Sequence, residues 1–145
     1  MMEFVYAYAY FILYAFLGWV CEDLYCGIPA KKFINRGFFY GPYCPIYGVG
    51  ALLVLYPLLF VKDYPILVFI LGVIITSTLE YITSWVMEIL FKTRWWDYSE
   101  RFMNINGRVC LLNSTLFGIM SIVVVYIVHP VIQDIVMDIP LTALM

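Results

Sequence analysis

Charge is what this chain has least of. Only eight lysines and arginines and ten aspartates and glutamates occur in 145 residues, 12% of the total, beside a single histidine. Ordinary globular domains carry about 25% charged residues. Eighteen charges cannot cover the core of a soluble fold, which excludes a cytosolic enzyme. A formal net charge of −2 excludes a basic nucleic-acid binder, since phosphate backbones are held by clustered cations. A hydrophobic share of 65% excludes a disordered tail. Several motifs are missing as well. The chain has no G-x-x-x-x-G-K-[ST] segment to cradle ATP, no H-E-x-x-H pair and no nucleophile elbow. Its four cysteines, Cys21, Cys26, Cys44 and Cys110, form no C-x2-C pair, so small apolar filler is the reading for them rather than zinc. No cofactor and no metal site are expected.

What the chain has in abundance is long uncharged stretches, with a mean hydropathy of +0.94. The expected class is an all-α integral membrane protein with four transmembrane helices, because lipid cannot satisfy a bare backbone. Residues 4–21 form the first uncharged block, about 27 Å long as a helix against the ~30 Å of a bilayer core. The second runs over residues 37–61, its helix starting near Ile46 after Gly41-Pro42 and Cys44-Pro45. The third, residues 65–91, encloses Glu80 and Glu88, and the fourth, residues 109–133, contains a His129-Pro130 break. Residues 131–139 place apolar and acidic side chains on opposite faces, either as a short amphipathic segment lying on the membrane surface or as a continuation of the fourth helix.

Seven of the eight basic residues fall in two loops: Lys31, Lys32 and Arg36, then Lys92, Arg94, Arg101 and Arg108. The positive-inside rule puts both loops in the cytoplasm and both termini outside. A cleaved signal peptide is not expected, since no positive charge precedes Phe4.

Laid over one another, the two halves share a pattern. Gly18-Trp19-Val20-Cys21-Glu22 matches Ser84-Trp85-Val86-Met87-Glu88, a basic loop follows each, and Asn35-Arg36-Gly37 corresponds to Asn106-Gly107-Arg108. Tyr47-Gly48 and Phe117-Gly118 then sit in the next helices. Within a single domain of residues 1–145, this predicts two parallel hairpin repeats, residues 4–61 and 65–130. Glu22 and Arg36 would pair with Glu88 and Arg108 around a common centre, since paired charges survive at membrane depth where single ones cost about 3 kcal/mol or more. Interfacial snorkelling is the alternative for these side chains.

Glu80 resists that alternative. It lies twelve residues before Lys92, roughly 18 Å along a helix and therefore near mid-membrane. Ser77, Tyr81, Ser84 and Glu88 share or adjoin its face, which gives the third helix one polar seam. An intramembrane carboxylate is a functional candidate by default. Tyr6, Tyr10, Tyr14 and Gly18 step towards Glu22 on the first helix, either as a hydrogen-bonding row or as an aromatic seam. The candidate binding residues are thus Glu80, Glu22, Arg36, Glu88, Arg108, Asn106, Tyr81 and Tyr14. No catalytic residue is assigned.

The segments Gly18-Trp19-x-x-Glu22, Asn35-Arg36-Gly37-Phe38, Gly41-Pro42-x-Cys44-Pro45-Ile46-Tyr47-Gly48, Glu80-Tyr81 with Glu88, Trp95-Trp96-Asp97-Tyr98 and Asn106-x-Arg108-x-Cys110-Leu111 together resemble a bacterial family of small membrane proteins described as ABC-transporter permeases, the CmpB-like or type IV group. The resemblance runs from about Phe4 to Pro130. It implies a transporter or permease subunit of the bacterial cytoplasmic membrane, taking a small polar or ionic substrate. Any ATPase would be a separate cytoplasmic chain. Membrane lipids and a second copy of the chain are the other expected partners, because four helices enclose too little volume for a wide pathway; nucleic acid is not a partner. Two other functions compete: a membrane-embedded enzyme acting on a phosphorylated or lipid-linked substrate, and a structural or regulatory membrane protein.

Overall fold

The computed structural model describes residues 2–30 and 41–139. Five α-helices make up most of them: α1 (Met2–Ala30), α2 (Pro45–Phe60), α3 (Pro65–Phe91), α4 (Leu111–Val123) and α5 (His129–Asp138). Three spans are long and apolar enough to cross a membrane: Phe4–Leu24, Pro65–Phe91 and Leu111–Asp138. The second uncharged block yields a shorter apolar helix than those three spans. Its α2 has 16 residues, about 24 Å at the helical rise, because Pro45 opens it and the turn after Phe60 closes it.

Two helix boundaries differ from those expected. Helix α1 does not stop at Glu22 but continues to Ala30, so Glu22 and Asp23 lie inside a helix and not at its end. At the other end of the chain, the His129-Pro130 break is absent and the backbone stays helical from Leu111 to Asp138. A π turn over Val124–Val128 explains this, with the His129 N–H bonded to the Val124 carbonyl five residues back. Proline in a helix clashes with the carbonyl four residues earlier, here that of Tyr126. The wider turn just before Pro130 makes room for the ring, so the helix continues. Tyr126, inside that turn, donates its hydroxyl to the Lys62 carbonyl.

The chain forms two compact units, one of residues 1–53 with 130–145 and one of residues 54–129. In the first, the backbones of α1 and α2 approach closely through small residues. The Tyr47 ring occupies the place where a side chain on Gly18 would stand, and a Cβ on Gly48 would lie 2.7 Å from the Phe11 carbonyl oxygen. The Cys44 N–H bonds the Ala15 carbonyl at 2.9 Å and brings the start of α2 against α1. Such close approach replaces hydrophobic driving force, which lipid does not provide between helices.

The second unit is built on the α3–α4 pair, whose contact is also lined by small residues. Gly72 faces Ser121, where a Cβ would come within 2.6 Å of the serine, and Gly118 faces Val73 and Phe69. Ser77 donates to Ser114 across the pair at 2.7 Å. Large apolar side chains such as Ile66, Ile74 and Leu90 stay exposed, as lipid-facing positions do. The packing predicts that Gly72→Val displaces Ser121 and separates the pair. Overpacking of this kind costs about 1–3 kcal/mol. The melting temperature in detergent should fall by several degrees, while Thr78→Val on the exposed face leaves it within about a degree.

Candidate functional site

The polar seam expected on α3 exists, and its partners come from α4 and from the loop between the two helices. That loop is not a slack tether. The Tyr98 N–H bonds the Gly107 carbonyl at 2.8 Å, and Ile105 and Val109 form an antiparallel bridge with an N–H to O distance of 3.0 Å. Asn104 donates its amide to the carbonyls of Ser99 and Arg101 and accepts the Gly107 N–H at 3.1 Å. Asn106 and Gly107 both have positive φ, at 53° and 67°, the region where glycine and asparagine are tolerated. Gly107 also has no room for a side chain, since Asp97 and Ser99 fill the space. The Ser99 hydroxyl, then its backbone amide, hold the Asp97 carboxyl below the usual carboxylate range, with Arg94 adding to the effect.

Because the loop is ordered, it presents a row of side chains to α3. The Asn113 amide donates to the Tyr98 hydroxyl at 2.6 Å, and that hydroxyl donates in turn to Glu80 Oε1 at 3.3 Å. Each donor in such a chain polarises the next. The other carboxylate oxygen, Glu80 Oε2, is buried without a hydrogen-bond partner among the described residues. Next to Glu80 in sequence, the Tyr81 hydroxyl accepts from the Asn106 amide at 2.8 Å. The Arg108 guanidinium stands 5.7 Å from the centre of the Tyr81 ring, within range of a cation–π contact.

Arg108 closes the seam. Its side chain is only 11% exposed, its Nη2 lies 2.7 Å from Glu88 Oε2, and its Nη1 donates to the Ser84 hydroxyl at 3.2 Å. Its backbone carbonyl accepts the Trp96 indole N–H at 3.0 Å. Arg94 completes the set with a 3.3 Å contact to Glu88 Oε1. Glu88, a third exposed, is thus held between two guanidiniums.

Of the residues anticipated from the sequence, Glu88, Arg108, Asn106 and Tyr81 come together, and Glu80 occupies the next position on the same helix face. Glu22 and Tyr14 lie in the other compact unit. Tyr47 donates to Glu22 at 2.5 Å, and Tyr14 is buried on α1. Arg36, with the rest of residues 31–40, lies outside the described residues. In the overlay of halves Tyr47 corresponds to Phe117, which has no hydroxyl, so the Tyr47–Glu22 bond has no counterpart in the second half. Sequence reasoning missed Tyr98 and Arg94 as members of the site. Asn113 belongs with them, because it orients the hydroxyl that meets Glu80. The signal that could have found them is the Trp95-Trp96-Asp97-Tyr98 run, polar and aromatic where a plain loop needs neither.

Apolar spans with an internal polar seam and an ordered cap define an integral membrane protein. The chain belongs to the family described as Putative ABC-transporter type IV, whose model matches residues 9–145. No curated protein and no solved structure matches it.

The Arg108–Glu88 pair yields a double-substitution test. Arg108→Ala leaves Glu88 with Arg94 alone and should lower the melting temperature, though by less than breaking a fully buried pair would, because Glu88 is partly solvated. Adding Glu88→Gln should restore part of that loss. Additive losses in thermal melts of the single and double variants would show that the pair is not coupled.

Proposed function

We propose that the chain is the membrane-spanning subunit of a transporter for a small polar or ionic cargo, with Glu80 binding a cation that is either the cargo or a coupling ion. The observation that supports this is the divided state of the Glu80 carboxylate. Oε1 is held by Tyr98, the Asn113 amide also bears on the carboxyl group, and the buried Oε2 makes no well-aligned hydrogen bond among the described residues. No ion pair to Glu80 occurs among those residues either, since Arg94 and Arg108 are engaged with Glu88. A carboxylate at membrane depth is costly unless something binds it, and transport pathways are where such groups are kept.

Tyr81, Asn106, Glu88 and Arg108 would form the polar wall along which a cargo passes. In a duplicated hairpin, Glu22, Arg36 and Tyr14 would be the corresponding set of the first half. The family's description supports transport and an ATP-driven partner. The 145 residues contain no phosphate-binding loop, and an ATPase would dock on the basic loops. The charge asymmetry supports both termini outside a bacterial cytoplasmic membrane, and the small volume within one chain supports a homodimer.

The test is a thermal titration of purified protein with sodium, potassium or magnesium chloride against choline chloride at equal ionic strength. A cation at ten times its Kd stabilises by about 1.4 kcal/mol, a shift of roughly 3–6 °C for a chain of this size. At least one of the three should produce it in the wild type. Glu80→Gln, which keeps the Tyr98 bond, should melt normally in choline and lose the increment. An increment that survives in the Gln variant, or none above choline in the wild type, contradicts the proposal.

A further inference from the structure

A second feature of the same compact unit lies beyond Glu80 and does not depend on its role. A cavity of about 390 Å³ opens at the end of α3, lined by Trp85, Glu88, Ile89, Lys92 and Arg108. Its two sides differ in chemistry. Trp85 and Ile89, about one turn apart on α3, are half exposed and make an apolar wall. Lys92 and Arg108 stand at the polar side. Lys92 is the left-handed residue that ends α3, its N–H bonded to the Glu88 carbonyl at 2.9 Å, so the chain leaves the helix at the cavity rim.

The local charges do not balance. Glu88 is matched by Arg108 at 2.7 Å and Arg94 at 3.3 Å, and Arg94 also lies 3.7 Å from Asp97. Three cations thus face two carboxylates. Lys92 is the one with no ion pair among the described residues. Aromatic residues flank Lys92 on either side in sequence, and Phe91 and Trp95 meet edge to face at 6.1 Å, with Trp95 half exposed. Tryptophan gathers at the headgroup level, and basic pockets there favour anionic headgroups.

We infer that this cavity seats an anionic phospholipid from the leaflet on the loop side. Its phosphate is held by Lys92, with the charge of the Arg108 guanidinium behind it, and an acyl chain lies along Trp85 and Ile89. A free phosphate would use the cations but leave the apolar wall unexplained.

The test uses the full chain in detergent, titrated separately with phosphatidylglycerol, phosphatidylcholine of the same acyl chains, and inorganic phosphate. Lipid retention is read by native mass spectrometry. The wild type should hold phosphatidylglycerol at least about five-fold more tightly than phosphatidylcholine, the worth of one lysine near an anionic surface. Lys92→Gln should bring that ratio close to one with an unchanged melting temperature, and Lys92→Arg should keep it. Inorganic phosphate at millimolar concentration should not displace the lipid. Equal retention of both lipids by the wild type overturns the inference, as does an undiminished preference in Lys92→Gln. Displacement by inorganic phosphate would make this a site for a soluble anion and also overturns it.

Discussion

A polar side chain on a lipid-embedded helix has only protein to satisfy it, and in the α3–α4 unit that constraint is met by one residue above all. Arg108 lies three positions before α4 begins, yet its guanidinium reaches back to Glu88 and Ser84 on α3 while its carbonyl takes the Trp96 indole proton. The end of one helix, the middle of the loop and the approach to the next helix are thereby tied at a single point. The position of Tyr98 against Glu80 follows from that tie, because the Tyr98 backbone is bonded to Gly107, the neighbour of Arg108.

The seam then reads as a sequence of environments along α3. Ser77 bonds Ser114 between closely packed helices, where glycine and serine allow backbone approach. Glu80 comes next with its Tyr98–Asn113 chain, then Tyr81 with Asn106, then Glu88 between two guanidiniums. Neutral hydroxyl pairs lie deep, and full ion pairs lie where the loop covers them and some water reaches them. That order follows the cost of burying charge, which falls towards the aqueous side. Glu80 is the exception, a carboxylate placed among neutral donors, and this exception is what gives the seam a chemical centre.

Much of this was legible in the sequence, for a definite reason. Uncharged blocks mark helices in lipid because the backbone has no other solution there, and a 3.6-residue period reports which side chains share a face. Glu80, Tyr81, Ser84 and Glu88 could therefore be placed on one seam, and Arg108 could be assigned to a carboxylate. What periodicity does not report is which distant residue reaches that face. Tyr98 meets Glu80 only because Asn104, Asn106 and Gly107 fold the loop through side-chain-to-backbone bonds and positive φ angles. The π turn ahead of Pro130 was hidden for a related reason. Proline announces a clash with the preceding turn, but the backbone can relieve it by widening as well as by breaking. The extension of α1 beyond Glu22 shows that charge can mark the edge of a lipid-facing stretch without ending the helix.

The central claim is that the Arg108–Glu88 tie orders the loop and so holds Tyr98 over Glu80. The most direct measurement is amide hydrogen exchange on the chain in nanodiscs, comparing the wild type with Glu88→Gln. The N–H groups of Tyr98, Ile105 and Arg108, each bonded within the loop, should be protected in the wild type and exchange at least about ten-fold faster in the variant, while the amides of α3 between Gly72 and Ser84 remain protected. Free exchange of the loop amides in the wild type, or protection unchanged by Glu88→Gln, would contradict the account.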